Sequence, residues 1–257
     1  MLYFLVIFTR YDIMLKIKGK GNKKMSEMNY NNILENLKKL LDSLKLFPTE
    51  EMKKEIYQNN KRLGKFCGKN NWTIPLTLSG EENQELISIL EEENSKKLDK
   101  LFIEHLTRNE EENLKVIKMN FRNSEITKRY IKPYNQAFRA YNKQMYLSAV
   151  MILIAIFEGI VSYYMFNNKN ETCVPNNVNS YLNKKYTDKN LFVTYQNKET
   201  MKSFIDSLFE TVNFENVDNI QPFNRHLIMH GRNLNKIGKK EVLQMFSALD
   251  NLLMLIN

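Results

Sequence analysis

The chain has 257 residues, 43% apolar and 11% aromatic, which is ample for a buried core and excludes disorder as the default. Eight glycines and five prolines argue against a loop-rich all-β chain, and recurrent Leu and Ile spacings make an all-α helical bundle the expected class. A net charge of +9 suits a phosphate-rich partner, although a chain crowded with Lys, Asn and Ile spreads Lys everywhere without building a binding face.

Met1–Thr9 is an apolar run far shorter than the ~20 residues of a spanning helix, and it lacks the basic start and cleavage site of a secretory signal. A Lys-rich stretch follows. Residues 1–24 are expected to be a poorly structured basic extension, with Met25 the working initiator. Residues 25–122 read as a helical scaffold region. Ile33, Leu34, Leu37, Leu40, Leu41 and Leu44 mark one apolar helix face that Pro48 closes, and Thr49 before Glu50 and Glu51 caps the next helix. Lys61, Arg62, Lys65 and Lys69 around Gly64 and Gly68 predict a basic turn. Trp72–Leu76 is extended because the residue before Pro75 avoids the helical region, and it is expected to wedge Trp72 under the helices. Ser79 with Glu82, and Thr107 with Glu110, are capping-box signatures; His105 is expected to be partly buried at a helix end.

Residues 124–257 form the second expected region. Two long helices come first, one with Pro133 kinking it or starting its second part, the other running from Tyr146 to Phe166 with Glu158 as its single charge. A helix apolar all round reads as a central core helix, since an acid at mid-bilayer costs roughly 2.5–3.5 kcal/mol. Residues 167–198 look like a long polar insertion, 199–212 like a helix, and Val242–Leu253 like the closing helix.

Between the last two lies Pro222-Phe223-Asn224-Arg225-His226-Leu227-Ile228-Met229-His230-Gly231, where Pro and Gly bracket a short helix carrying two of the three histidines. Imidazole exchanges a proton near pH 7 and guanidinium keeps its charge, so the set offers acid–base chemistry beside a fixed cation. RNA cleavage by the 2′-hydroxyl needs both: a base for the attacking oxygen, an acid for the leaving one, and a cation for the phosphorane. In a straight helix Arg225 and His230 stand about 140° apart, so one chain need not complete a site.

Arg225, four intervening residues and His230, with a polar residue after the Arg and a Gly after the His, resemble the Arg-x4–6-His signature of the HEPN superfamily. That resemblance implies a C-terminal helical domain at 124–257 acting as a metal-independent endoribonuclease, as in toxin or abortive-infection proteins of phage defence. It assigns Arg225 to clamp phosphate, His230 to transfer protons, His226 to assist, and Glu158 and Asn224 to support them. It also implies RNA as substrate, a homodimer, an antitoxin or regulatory partner, and no cofactor.

Other readings stand beside it. Glu158 is either an ordinary structural ion pair or the acid that orients Arg225 or holds a His tautomer. A zinc site could use His226 and His230 at i, i+4, but a third ligand from His105, Cys67 or Cys173 lacks supporting spacing, so no metal is expected. Cys67 and Cys173 lie far apart with no convincing signal peptide, which points to a reduced cytoplasmic protein with no membrane partner; there the sequon Asn170-Glu171-Thr172 would mean nothing. The alternative function is a non-catalytic helical module that binds nucleotide, RNA or protein, and a third is a membrane-associated protein using residues 146–166.

Overall fold

The computed structural model describes residues 50–166, 175–186, 192–212, 223–232 and 234–256. The 1–24 extension, Met25, the helix expected over Ile33–Leu44, Pro48, Thr49, the sequon, Cys173 and Pro222 lie outside the described residues. Among those described there are nine α-helices and no strand: α1 Glu50–Lys69, α2 Gly80–Glu91, α3 Ser95–Asn123, α4 Ile131–Asn142, α5 Tyr146–Ile160, α6 Pro175–Lys185, α7 Phe192–Leu208, α8 Arg225–Met229 and α9 Lys239–Ile256. The fold is all-α. Tyr57–Asn257 form one compact unit, and the boundary expected near residue 123 falls inside it.

The helix surrounded on all sides is α9, not the apolar helix expected at the centre. It packs on α3, α5 and α7, and every residue from Glu241 to Leu253 is buried. Its polar residues hid this, because they bond inward. Gln244 Nε2 donates to the Asn70 carbonyl at 3.0 Å, Ser247 Oγ to the Thr73 carbonyl at 3.1 Å, and Asn251 Nδ2 to the Ile74 carbonyl at 3.0 Å. Positions 244, 247 and 251 share a helix face, and the extended run before Pro75 has carbonyls that no helix satisfies. Trp72 anchors the same run, fully buried, its Nε1 donating to Asp99 Oδ1 at 2.8 Å and its ring edge-on to Phe102.

Helix α5 keeps one open side instead. Ala149, Val150, Leu153, Ile154, Ile156, Phe157 and Ile160 are buried, whereas Met151 is 40% exposed, and the helix runs on through a π-helical turn, Val161–Met165, where Tyr163 is 39% exposed. The stretch Tyr146–Met165 is the one described segment long and apolar enough to cross a membrane.

Three local expectations change. The basic turn at 61–69 is helical, because Gly64 and Gly68 sit against α7: a Cβ on Gly68 would lie 2.4 Å from Ser203 Cβ. The polar insertion contains α6 and the start of α7; Pro175 sits at a first helical position, and Val178 and Leu182 supply too few apolar residues to show a period. Thr107 does not cap a helix. Its hydroxyl donates to the Ile103 carbonyl, and α3 breaks over Arg108–Glu111, where Asn109, Glu110 and Glu111 take positive φ; Asn113 Nδ2 satisfies the His105 carbonyl that the break exposes, at 2.8 Å. The Ser79–Glu82 box forms as expected.

Candidate active site

Helix α8 is five residues long, so its position depends on its two ends. At the first, Asn224 Oδ1 accepts from the His226 and Leu227 amides at 2.8 and 3.3 Å, while Nδ2 donates to the Glu210 and Ser207 carbonyls at 3.0 and 3.4 Å, beyond the end of α7 and within its last turn. Asn224 is fully buried, with both ends of its amide engaged by backbone. It serves as the cap of α8 and tethers that helix to the end of α7.

At the second end Gly231 takes φ +72°, its amide donates to the Ile228 carbonyl, and the Arg232 amide reaches the Leu227 carbonyl at 2.7 Å. That is a Schellman stop, in which Gly alone adopts the left-handed position without a Cβ penalty. Between the ends, Leu227 and Ile228 enter the core, and Met229 and His230 face out.

Arg225 and Glu158 meet. Arg225 Nε donates to Glu158 Oε1 at 2.7 Å, with each side chain a little under one-third exposed. One of five guanidinium N–H donors is thereby fixed and the planar fork is oriented. His226 stands in the field of this pair. Burial, then the Arg225 charge and His230, hold its imidazole below the ordinary range, with Glu158 opposing. A neutral imidazole at pH 7 can accept a proton. The backbone amide of His230 bonds to the His226 carbonyl at 3.1 Å, so the second imidazole follows the first by one exposed turn.

The structure therefore brings Glu158, Arg225, His226 and His230 to one patch. His105 belongs elsewhere. It is buried, not half-exposed, in the last turn of α3 before the break at Arg108, with Nδ1 2.8 Å from Glu82 Oε1 and Nε2 2.8 Å from Thr77 Oγ1. The order hydroxyl, imidazole, carboxylate resembles a nucleophile relay, but Glu82 is also held by the Ser79 amide and by Arg108 at 2.8 Å, so the set braces α2 on α3. Burial works to raise the Glu82 carboxyl, yet the Ser79 amide and His105 bring it below its usual range. Cys67 is buried, which pushes its thiol up. Among the described residues no three His, Cys, Asp or Glu side chains gather in a metal-binding group.

Sequence reasoning missed two features. One is Asp250, buried in α9 and bonded by Asn120 Nδ2 at 3.1 Å; a lone acid among Leu, Met and Phe was its signal. The other is a cleft of about 470 Å3 on the second half of α3. No protein-family model matches the chain, and neither a curated protein nor a solved structure is similar to it.

Proposed function

We propose that the chain is a HEPN-like endoribonuclease acting through Arg225, His226 and His230 without a metal. The observation that carries this is the 2.7 Å Glu158–Arg225 pair beside the His226 imidazole, which burial and the Arg225 charge hold below its ordinary range. In this reading a neutral imidazole takes the proton of an RNA 2′-hydroxyl, the oxygen attacks its own 3′ phosphorus, and the P–O5′ bond breaks. A protonated imidazole supplies the proton of the leaving 5′ oxygen, and Arg225 neutralises charge on the phosphorane. The products carry 2′,3′-cyclic phosphate and 5′-hydroxyl ends. The base and the acid need two imidazoles, supplied by His226 and His230 of one chain or by His230 from each of two.

Arg225 and Glu158 are partly exposed and His230 is exposed, so the patch reaches solvent. A homodimer formed on the open side of α5, with Met151 and the 46% exposed Met229, would enclose it. Cytoplasmic phage defence with an antitoxin or regulatory partner belongs to the same proposal.

The test is cleavage of RNA in EDTA by wild type, Arg225→Ala and His230→Ala, with folding checked by circular dichroism. Both variants should lose cleavage by about 100-fold or more, and mixing them should restore part of it if the site is shared between subunits. Undiminished cleavage in either folded variant sinks the assignment. The rival reading is a binding module in which the Arg225–Glu158 pair only docks α8 on α5; it is favoured if wild type binds RNA and never cuts it.

A further inference from the structure

Two clefts on the compact unit differ in charge. One, of about 540 Å3, sets Lys65, Lys69 and Lys202 against Glu199, Asp206 and Glu210, which leaves no net attraction for an anion. The other is lined by Lys115, Lys118, Met119, Arg122, Asn123 and Ile131, three cations and no carboxylate. Lys115 does meet Glu110 at 3.9 Å, but that acid is 94% exposed, and such pairs are weak. The three cations sit at i, i+3 and i+7 of α3, a row about 10 Å long at 1.5 Å per residue. A single phosphate is shorter than that row. A run of nucleic-acid backbone matches it, with exposed Met119 as an apolar seat for a base and the Asn123 amide able both to give and to accept on a base edge.

Chain continuity and one close contact join the lining of the cleft to the helix that carries Glu158. Ile131 at its rim follows the 3-10 segment Glu125–Tyr130, and the Tyr130 ring lies so close to Gly159 that a Cβ there would be 2.9 Å from its hydroxyl. Gly159 adjoins Glu158, the partner of Arg225. On the same segment the Arg129 guanidinium lies 4.2 Å from the centroid of the exposed Tyr163 ring. An aromatic face with a cation on it is a stacking platform for a base that is not already paired.

We infer that the substrate is single-stranded RNA several nucleotides long, whose flank is held by Lys115, Lys118 and Arg122 in the α3 cleft and by the Arg129–Tyr163 pair while Arg225 and the histidines act on one phosphate. This rests on the nuclease reading for the last clause alone. The cleft and the platform bind RNA whether or not it is cut.

The probe is a fluorescein-labelled 2′-O-methyl RNA dodecamer, which cannot be cleaved, titrated with the full chain across a salt series and followed by anisotropy. Lys115→Glu/Arg122→Glu, both exposed positions, should weaken binding about tenfold or more at low salt and cut the slope of log K against log salt by ~1.4, the loss of two phosphate contacts. Tyr163→Ala should weaken binding with the slope unchanged. The duplex of the same sequence should bind less well than the strand. Should the reversed charges disturb folding, Lys115→Gln/Arg122→Gln, which removes the same two contacts, should cut the slope by ~1.4 with a smaller loss of affinity.

Binding by the folded double variant with wild-type affinity and slope overturns the inference, as does wild type that ignores the strand or prefers the duplex. Cleavage of unmodified RNA should be lost in His230→Ala. Cleavage that survives His230→Ala defeats the nuclease reading while leaving the dodecamer result to stand or fall separately.

Discussion

Glu158 acts on His226 as well as on Arg225, and the two effects have different signatures. Its charge raises the His226 pKa against burial, Arg225 and His230. Removing that charge should lower the His226 pKa further, since the remaining influences all disfavour imidazolium. If His226 is the base, Glu158→Gln should move the acid limb of the cleavage profile to lower pH and, by releasing Nε of Arg225, reduce the plateau rate. A reduced plateau with the limb in its wild-type place would mean that Glu158 only positions the guanidinium and that the proton leaves to His230. The residues of this patch were legible from sequence because Arg, His and one acid in an apolar run are scarce types. The part Asn224 plays as cap and tether was not legible, since the carbonyls that fix its amide come from Ser207 and Glu210.

Helix by helix, what could be read in advance was what neighbouring residues decide. The Ser79–Glu82 box and the Gly231 stop are set within a few positions of the chain, and both form as expected. The burial of α9 depends on Asn70–Ile74, some 175 residues earlier, so no local period could announce it. The cleft cations were invisible for another reason: in a Lys-rich chain a basic helix face is the ordinary solvated surface, and only the cavity beside it distinguishes this one. Gly64 and Gly68 were misread as turn formers because a glycine pair serves equally for close helix packing. That last point is testable. Gly68→Ala would drive a Cβ to 2.4 Å from Ser203 Cβ and 2.6 Å from the Phe204 amide, forcing α1 off α7, and should cost about 1–3 kcal/mol in urea denaturation. Gly80→Ala, at a first helical position with open space around it, should be neutral or slightly stabilising. Equal effects at the two sites would show that helix propensity, not contact, governs both.

At the scale of the whole molecule the core carries an acid that opposes its own stability. Asp250 is 5% exposed in the helix on which α3, α5 and α7 converge, and a single hydrogen bond from Asn120 stabilises its carboxylate. Near it the Tyr134 hydroxyl is buried without a hydrogen-bond partner. Burial pushes the Asp250 pKa from 3.8 up to about 6, against the Asn120 bond that lowers it. A raised folded pKa means that the native state binds the proton more tightly than the unfolded chain. The stabilisation is therefore complete below pH 4 and lost as pH rises through about 6. Ionising the group in place costs on the order of 3 kcal/mol at pH 7.5. Other carboxylates shape acid denaturation of the whole chain, so the contribution of Asp250 is read as a difference between variants. Asp250→Asn keeps an oxygen for Asn120 Nδ2 and carries no charge at any pH. It should raise Tm by roughly 6–12 °C at pH 7.5 and by progressively less toward pH 4.5, where wild-type Asp250 is already protonated. A Tm difference that stays constant from pH 4.5 to 7.5 would show that Asp250 does not titrate in the fold, and a loss of stability at pH 7.5 would show that its carboxylate is held by more than Asn120.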